Sequence, residues 1–147
     1  MSTAERADAW GGRPAPSVGD HASRSLEITP EHIELFTRMS GDRNPLHYDA
    51  DLAARSPFGR VVVQGGVTTG ILNAVVAEDL PGPGSVFLEL NLSFRAPVRP
   101  GDVITGEVVV TAARADKPVT NLDVRVVRDD GVVAVDGIAV ADGQAQA

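Results

Sequence analysis

Asp42 and His47 lie five residues apart in the segment SGDRNPLH, a carboxylate and an imidazole within one short stretch. On a helix that spacing separates them by about 140°, and on a strand it places them on opposite faces. A tight turn can bring them together. Pro45 keeps Asn44 out of the helical region, and Asn44 itself tolerates turn geometry. A carboxylate of pKa about 4 and an imidazole of about 6.5 make a workable base and acid at neutral pH, and the two could converge on one water. The same spacing also reads as a helix stop followed by an Asx-type turn that carries no chemistry.

Other site chemistries fail on particular positions. A calcium loop starting at Asp42 would have His47 where Gly is needed and Ala53 where Glu is needed. GGVTTG lacks the Lys-Ser/Thr pair of a P-loop and the spacing of a dinucleotide fingerprint. His21 and His32 have no metal-ligand pattern and read as surface histidines. The chain has no cysteine, which removes disulfides, thiolate nucleophiles and cysteine-ligated metals.

Elements must position the pair. Before it, SLEIT alternates as a short strand, and Thr29-Pro30-Glu31 starts a helix over residues 30–40 with Ile33, Phe36 and Met39 inward and Gly41 as its stop. After it, Asp49 caps a short helix over 49–55, and residues 60–63 form a lead-in strand. VTTGILNAVVAEDL, opened by Gly65-Gly66, is apolar on most of its circumference, which predicts a buried helix ended by Pro81-Gly82-Pro83-Gly84. From Val86 to Phe94 alternate residues Val86, Leu88, Leu90, Leu92 and Phe94 are apolar, and strands over 103–112, 119–128 and 132–141 follow at hairpin spacing. An antiparallel sheet must cover one face, and the helix over 66–80 is the element long and apolar enough to do so.

At 147 residues the chain is sized for one domain, placed over residues 18–147, preceded by an arm over 1–17 too poor in apolar periodicity to order itself. A formal charge of −7, with Lys117 the single lysine, provides no basic patch for nucleic acid. No secretory h-region or membrane-length apolar run is present, so the chain reads as soluble and cytoplasmic, with no membrane partner.

SGDRNPLH, together with GRVVVQGGVTTG, LPGPGSVFLELNLSFRAPVRPGD and ARADKPV, resembles the MaoC-like (R)-specific enoyl-CoA hydratases and dehydratases over residues 18–141. The pattern D-x-N-P-x-H is specific in combination with FRAPVRPGD. The resemblance implies an α+β hot-dog fold, an antiparallel sheet wrapped around a long central helix. It also implies a homodimer or higher homo-oligomer, and an acyl-CoA or acyl carrier protein thioester as substrate, with no cofactor and no metal.

Asp42 and His47 match the family's catalytic pair. That pair holds a water, one residue drawing its proton as it attacks C3 and the other protonating C2. Gly65 matches the position whose N–H stabilises the thioester oxygen. Asn44, Gln64 and Asn73 are expected to support the site. Gln64 and Asn73 stand where many relatives have His and Ser, and Asn73 could orient Asp42. Arg95, Arg99, Arg114 and Lys117 are candidates for the CoA phosphates. A non-catalytic acyl-thioester-binding subunit and a hot-dog thioesterase are the competing functions, and the intact pair favours the hydratase.

Overall fold

The computed structural model describes residue 10 and residues 14–143. β1 (His21–Glu27), β2 (Val86–Phe94), β3 (Val103–Ala113), β4 (Val119–Arg128) and β5 (Val133–Asp142) form one antiparallel sheet in the order β1-β3-β4-β5-β2. Three helices accompany it: α1 (Pro30–Ser40), α2 (Ala50–Arg55) and α3 (Gly65–Ala74), the last widening into a π turn over Val75–Asp79. The sheet curls over α3, which is the hot-dog arrangement expected of the sequence. Among the described residues no helix is long and apolar enough to cross a membrane.

The core lies between α3 and the inner face of the sheet. Ile71, Leu72, Val75 and Val76 meet Ile104, Val108 and Val110 of β3, Leu122, Val124 and Val126 of β4, and Ala139 and Ala141 of β5. Each fully buried aliphatic side chain contributes about 1.5–3 kcal/mol relative to exposure. Gly106 of β3 lets the helix settle onto the sheet, because a Cβ there would stand 2.8 Å from Ile71 Cγ2.

Local signals position the segment between β1 and α3. Pro30 starts α1, and the His32 Nδ1 accepts the Thr29 N–H at 2.9 Å, so this histidine closes a helix start. Gly41 ends the helix in the left-handed region (φ 83°), its N–H returning to the Thr37 carbonyl at 2.7 Å. Asp49 caps α2 as expected, its Oδ1 accepting the N–H groups of Asp51 and Leu52 at 3.0 Å.

Three expectations need correction. In α1 the buried positions are Ile33 and Thr37, whereas Met39 is 76% exposed. The helix therefore turns a threonine, not a methionine, to the interior. Residues 60–63 are not a strand: Val62 N–H reaches the Leu46 carbonyl and Val63 N–H the Val98 carbonyl, while both side chains are buried. In β2 the register against β5 shifts between Phe87 and Glu89, so Phe87 packs against the core and Val86 and Leu88 are exposed. The bulge breaks the single apolar face that strict alternation predicts.

The arm expected over residues 1–17 falls mostly on 1–9 and 11–13, outside the described residues, as do 144–147. Within it Trp10 is 4% exposed, and its indole N–H donates to the Arg114 carbonyl at 2.9 Å.

Candidate active site

The turn after α1 does what the proline implied. Asn44 is extended (φ −53°, ψ 130°), and Pro45–His47 form a 3-10 turn. The Asn44 side chain accepts the Leu46 N–H at 3.0 Å and its carbonyl accepts the His47 N–H at 2.9 Å. Its own N–H donates to Asp42 Oδ1 at 3.0 Å. Asn44 thus holds both ends of the turn.

The carboxylate and the imidazole face each other. His47 Nε2 lies 3.6 Å from Asp42 Oδ2, with the His47 side chain 10% exposed and that of Asp42 39% exposed. His47 Nδ1 lies 2.7 Å from the Val62 carbonyl. A carbonyl only accepts, so Nδ1 carries a proton, and Nε2 is the ring nitrogen that faces Asp42. The extended segment before α3 therefore supplies the carbonyl that selects the tautomer.

Behind the turn is a network that the sequence did not announce. Thr37, 2% exposed, donates through Oγ1 to the Asp42 carbonyl at 2.7 Å and lies in hydrogen-bond contact with the Tyr48 hydroxyl. Gln64 Nε2 donates to Thr37 Oγ1 at 3.2 Å and to the Ile33 carbonyl at 3.1 Å. Gln64 is 1% exposed and its Oε1 has no partner among the described residues. Its amide ties the start of α3 to α1, and through Thr37 to Asp42.

Gly65 opens α3, and the first N–H groups of a helix have no acceptor within it. Phe94 packs over this glycine, since a Cβ would stand 2.9 Å from its ring. His47, Gly65, Thr68, Phe58, Phe94 and Arg95 are among the residues lining a cleft of about 400 Å³. The cleft joins the imidazole of the pair to a helix N-terminus, the positive end of the helix dipole.

Other expected residues are distributed differently. Asn73 is exposed and is not among the groups bonded to Asp42. It lies eight residues beyond Gly65, about 12 Å along the helix, which carries it past the turn. Arg95 stands at the cleft, paired with Asp136 at 3.1 Å, and Arg99 donates to the Phe58 carbonyl at 3.0 Å. Arg114 and Lys117 sit beyond the opposite end of β3, about 30 Å away at strand rise, with Arg114 paired to Asp116 at 2.7 Å. In one chain they do not reach the cleft.

Comparison with known proteins gives a consistent picture. A family model described as MaoC like domain matches residues 15–131. An (R)-specific enoyl-CoA hydratase from Aeromonas caviae is 40% identical over 123 residues, covering 84% of this chain and 92% of that protein. An (R)-specific enoyl-CoA hydratase from Rhodospirillum rubrum is 37% identical over 99 residues, covering 67% of this chain and 69% of its own length. The solved structure of the (R)-hydratase from A. caviae superposes with a TM-score of 0.82 at 38% identity, covering 86% of this chain and 96% of that one.

Proposed function

The chain belongs to the MaoC-like domain family, and from that premise we infer that it adds water across the C2–C3 double bond of a trans-2-enoyl thioester, or removes it from an (R)-3-hydroxyacyl thioester. The observation that carries the chemistry is the approach of His47 Nε2 to Asp42 Oδ2 at 3.6 Å, with Nδ1 engaged by Val62. With the imidazole neutral and the carboxylate ionised, both groups are acceptors. A water between them donates one proton to each and turns its lone pairs toward substrate.

In the hydration direction that oxygen attacks C3 as Nε2 takes one proton. The electron pair of the double bond moves toward C2 and the thioester oxygen, where the Gly65 N–H at the α3 N-terminus accommodates the charge. The imidazolium returns its proton to C2, and the second water proton stays on the new hydroxyl, hydrogen-bonded to Asp42. Both parts of the water arrive from one face, so addition is syn. Asp42 also steadies the imidazolium while it exists.

The test is direct. Asp42→Asn and His47→Ala should each lower crotonyl-CoA hydration, followed as loss of enone absorbance, by at least ~10² while the far-UV circular dichroism is retained. Wild-type-like turnover in either variant would overturn the assignment. Release of free CoA in the same cuvette would indicate a thioesterase instead.

The substrate handle is a CoA or an acyl carrier protein, and Arg95, which lines the cleft, is the candidate contact for its phosphate. The working unit is a homodimer. Among the described residues β2 has β5 as its one strand neighbour, and Leu90 and Phe94 on its inner face are 40% and 62% exposed. A second copy adding its own β2 would cover them and continue the sheet.

A further inference from the structure

We propose that Thr68 donates a second hydrogen bond to the thioester oxygen, beside the Gly65 N–H; the proposal rests on the hydratase reading above. Thr68 lines the cleft with His47 and Gly65 and is 4% exposed. Its backbone N–H returns to the Gln64 carbonyl, but its hydroxyl makes no hydrogen bond to another described residue. A hydroxyl that lines the cleft and bonds no other described residue keeps its proton free for a group bound there.

Helix geometry says where it reaches. Thr68 follows Gly65 by three residues, one turn along the same face of α3. Helical side chains lean toward the N-terminus, so the patch covered by residue 68 lies over the turn that Gly65 begins. Gly65 has no side chain to occupy that patch. With C2 and C3 held at Asp42 and His47 and the thioester oxygen at the Gly65 N–H, the hydroxyl falls next to that oxygen.

Apart from Arg95, paired with Asp136, the rest of the wall, including Leu46, Phe58, Val63 and Phe94, is apolar. A hydrogen bond to developing negative charge is strengthened in such surroundings. One donor would come from the backbone and one from a side chain.

Thr68→Val keeps the branched shape and removes the hydroxyl, whereas Thr68→Ser keeps the hydroxyl. On crotonyl-CoA the valine variant should lose at least about tenfold in kcat with KM within about threefold, and the serine variant should stay within about threefold of the parent. A second readout needs no turnover. Bound to an Asp42→Asn protein, trans,trans-2,4-hexadienoyl-CoA should show a red-shifted absorbance from polarisation of its carbonyl, and adding Thr68→Val should shrink that shift. Should the valine variant not fold, Thr68→Ala carries the same comparison.

Valine turnover within twofold of the parent, or a lowered kcat with an unchanged red shift, overturns the proposal. So does a loss confined to substrates with a polar acyl substituent, which would place the hydroxyl along the acyl chain. Failure of the parent protein to hydrate crotonyl-CoA would sink the hydratase reading, and the absorbance measurement would still judge Thr68.

Discussion

Thr37 has one proton to give and three neighbours around its oxygen. The proton goes to the Asp42 carbonyl, one lone pair receives Gln64 Nε2, and the oxygen also contacts the Tyr48 hydroxyl, which donates to Glu34 Oε2 at 3.3 Å. Replacing Thr37 by valine preserves shape, leaves the Asp42 carbonyl without this donor, and leaves Gln64 with the Ile33 carbonyl and Tyr48 with Glu34 as their remaining partners. Burying unpaired polar groups of this kind costs about 1–3 kcal/mol, which urea unfolding should register, and the loosened Asp42 turn should lower kcat by about tenfold. Unchanged stability and turnover would show that the network is incidental to the turn. The meeting of Asp42 and His47 was legible in the sequence because Pro45 leaves the chain few ways to run. Thr37 and Gln64 were not legible as a pair: they are 27 residues apart, one within α1 and the other at the N-cap of α3, and no periodicity links the two. Asn73 shows the converse error, since its expected role came from relatives that carry a different residue there.

The elements were read correctly where one strong signal governed them. Thr29-Pro30, Gly41 and Asp49 gave helix ends that the structure reproduces, and the four strands after Gly84 appear with their turns. What failed was anything decided by pairing rather than by period, namely the bulge in β2 and the unpaired run over residues 60–63. The fit of β2 against β5 is especially close at Gly137, where a Cβ would stand 1.9 Å from the Asn91 carbonyl oxygen and 3.0 Å from Leu92 Cα. Backbone cannot step aside as a side-chain tip can. Gly137→Ala should therefore push the edge strand outward and cost about 3 kcal/mol or more in denaturant unfolding, and a value below about 1 kcal/mol would show that the sheet opens there freely. The contrast is Gly66, whose added Cβ meets the Phe36 ring at 2.1 Å, a contact that a rotating ring can relieve.

At the scale of the molecule, the sheet ends in an apolar edge. The covering helix α3 lies chiefly over β1, β3, β4 and β5; it meets β2 at Phe94 through Gly65, and Leu90 and Phe94 stay 40% and 62% exposed. If a second copy supplies the cover, Leu90→Lys sets two like charges close together across the two-fold axis. Sedimentation should then show a monomer where the parent protein sediments as a dimer, and an unchanged dimer would move the interface elsewhere. The far end of the molecule has a different kind of closure. The chain's one tryptophan is seated against the β3–β4 hairpin through its hydrogen bond to Arg114. Its fluorescence is therefore a built-in optical reporter for the seating of Trp10 on that hairpin, readable without any label. A red shift in emission at denaturant concentrations that leave the sheet's circular dichroism intact would separate the unseating of Trp10 from the melting of the fold.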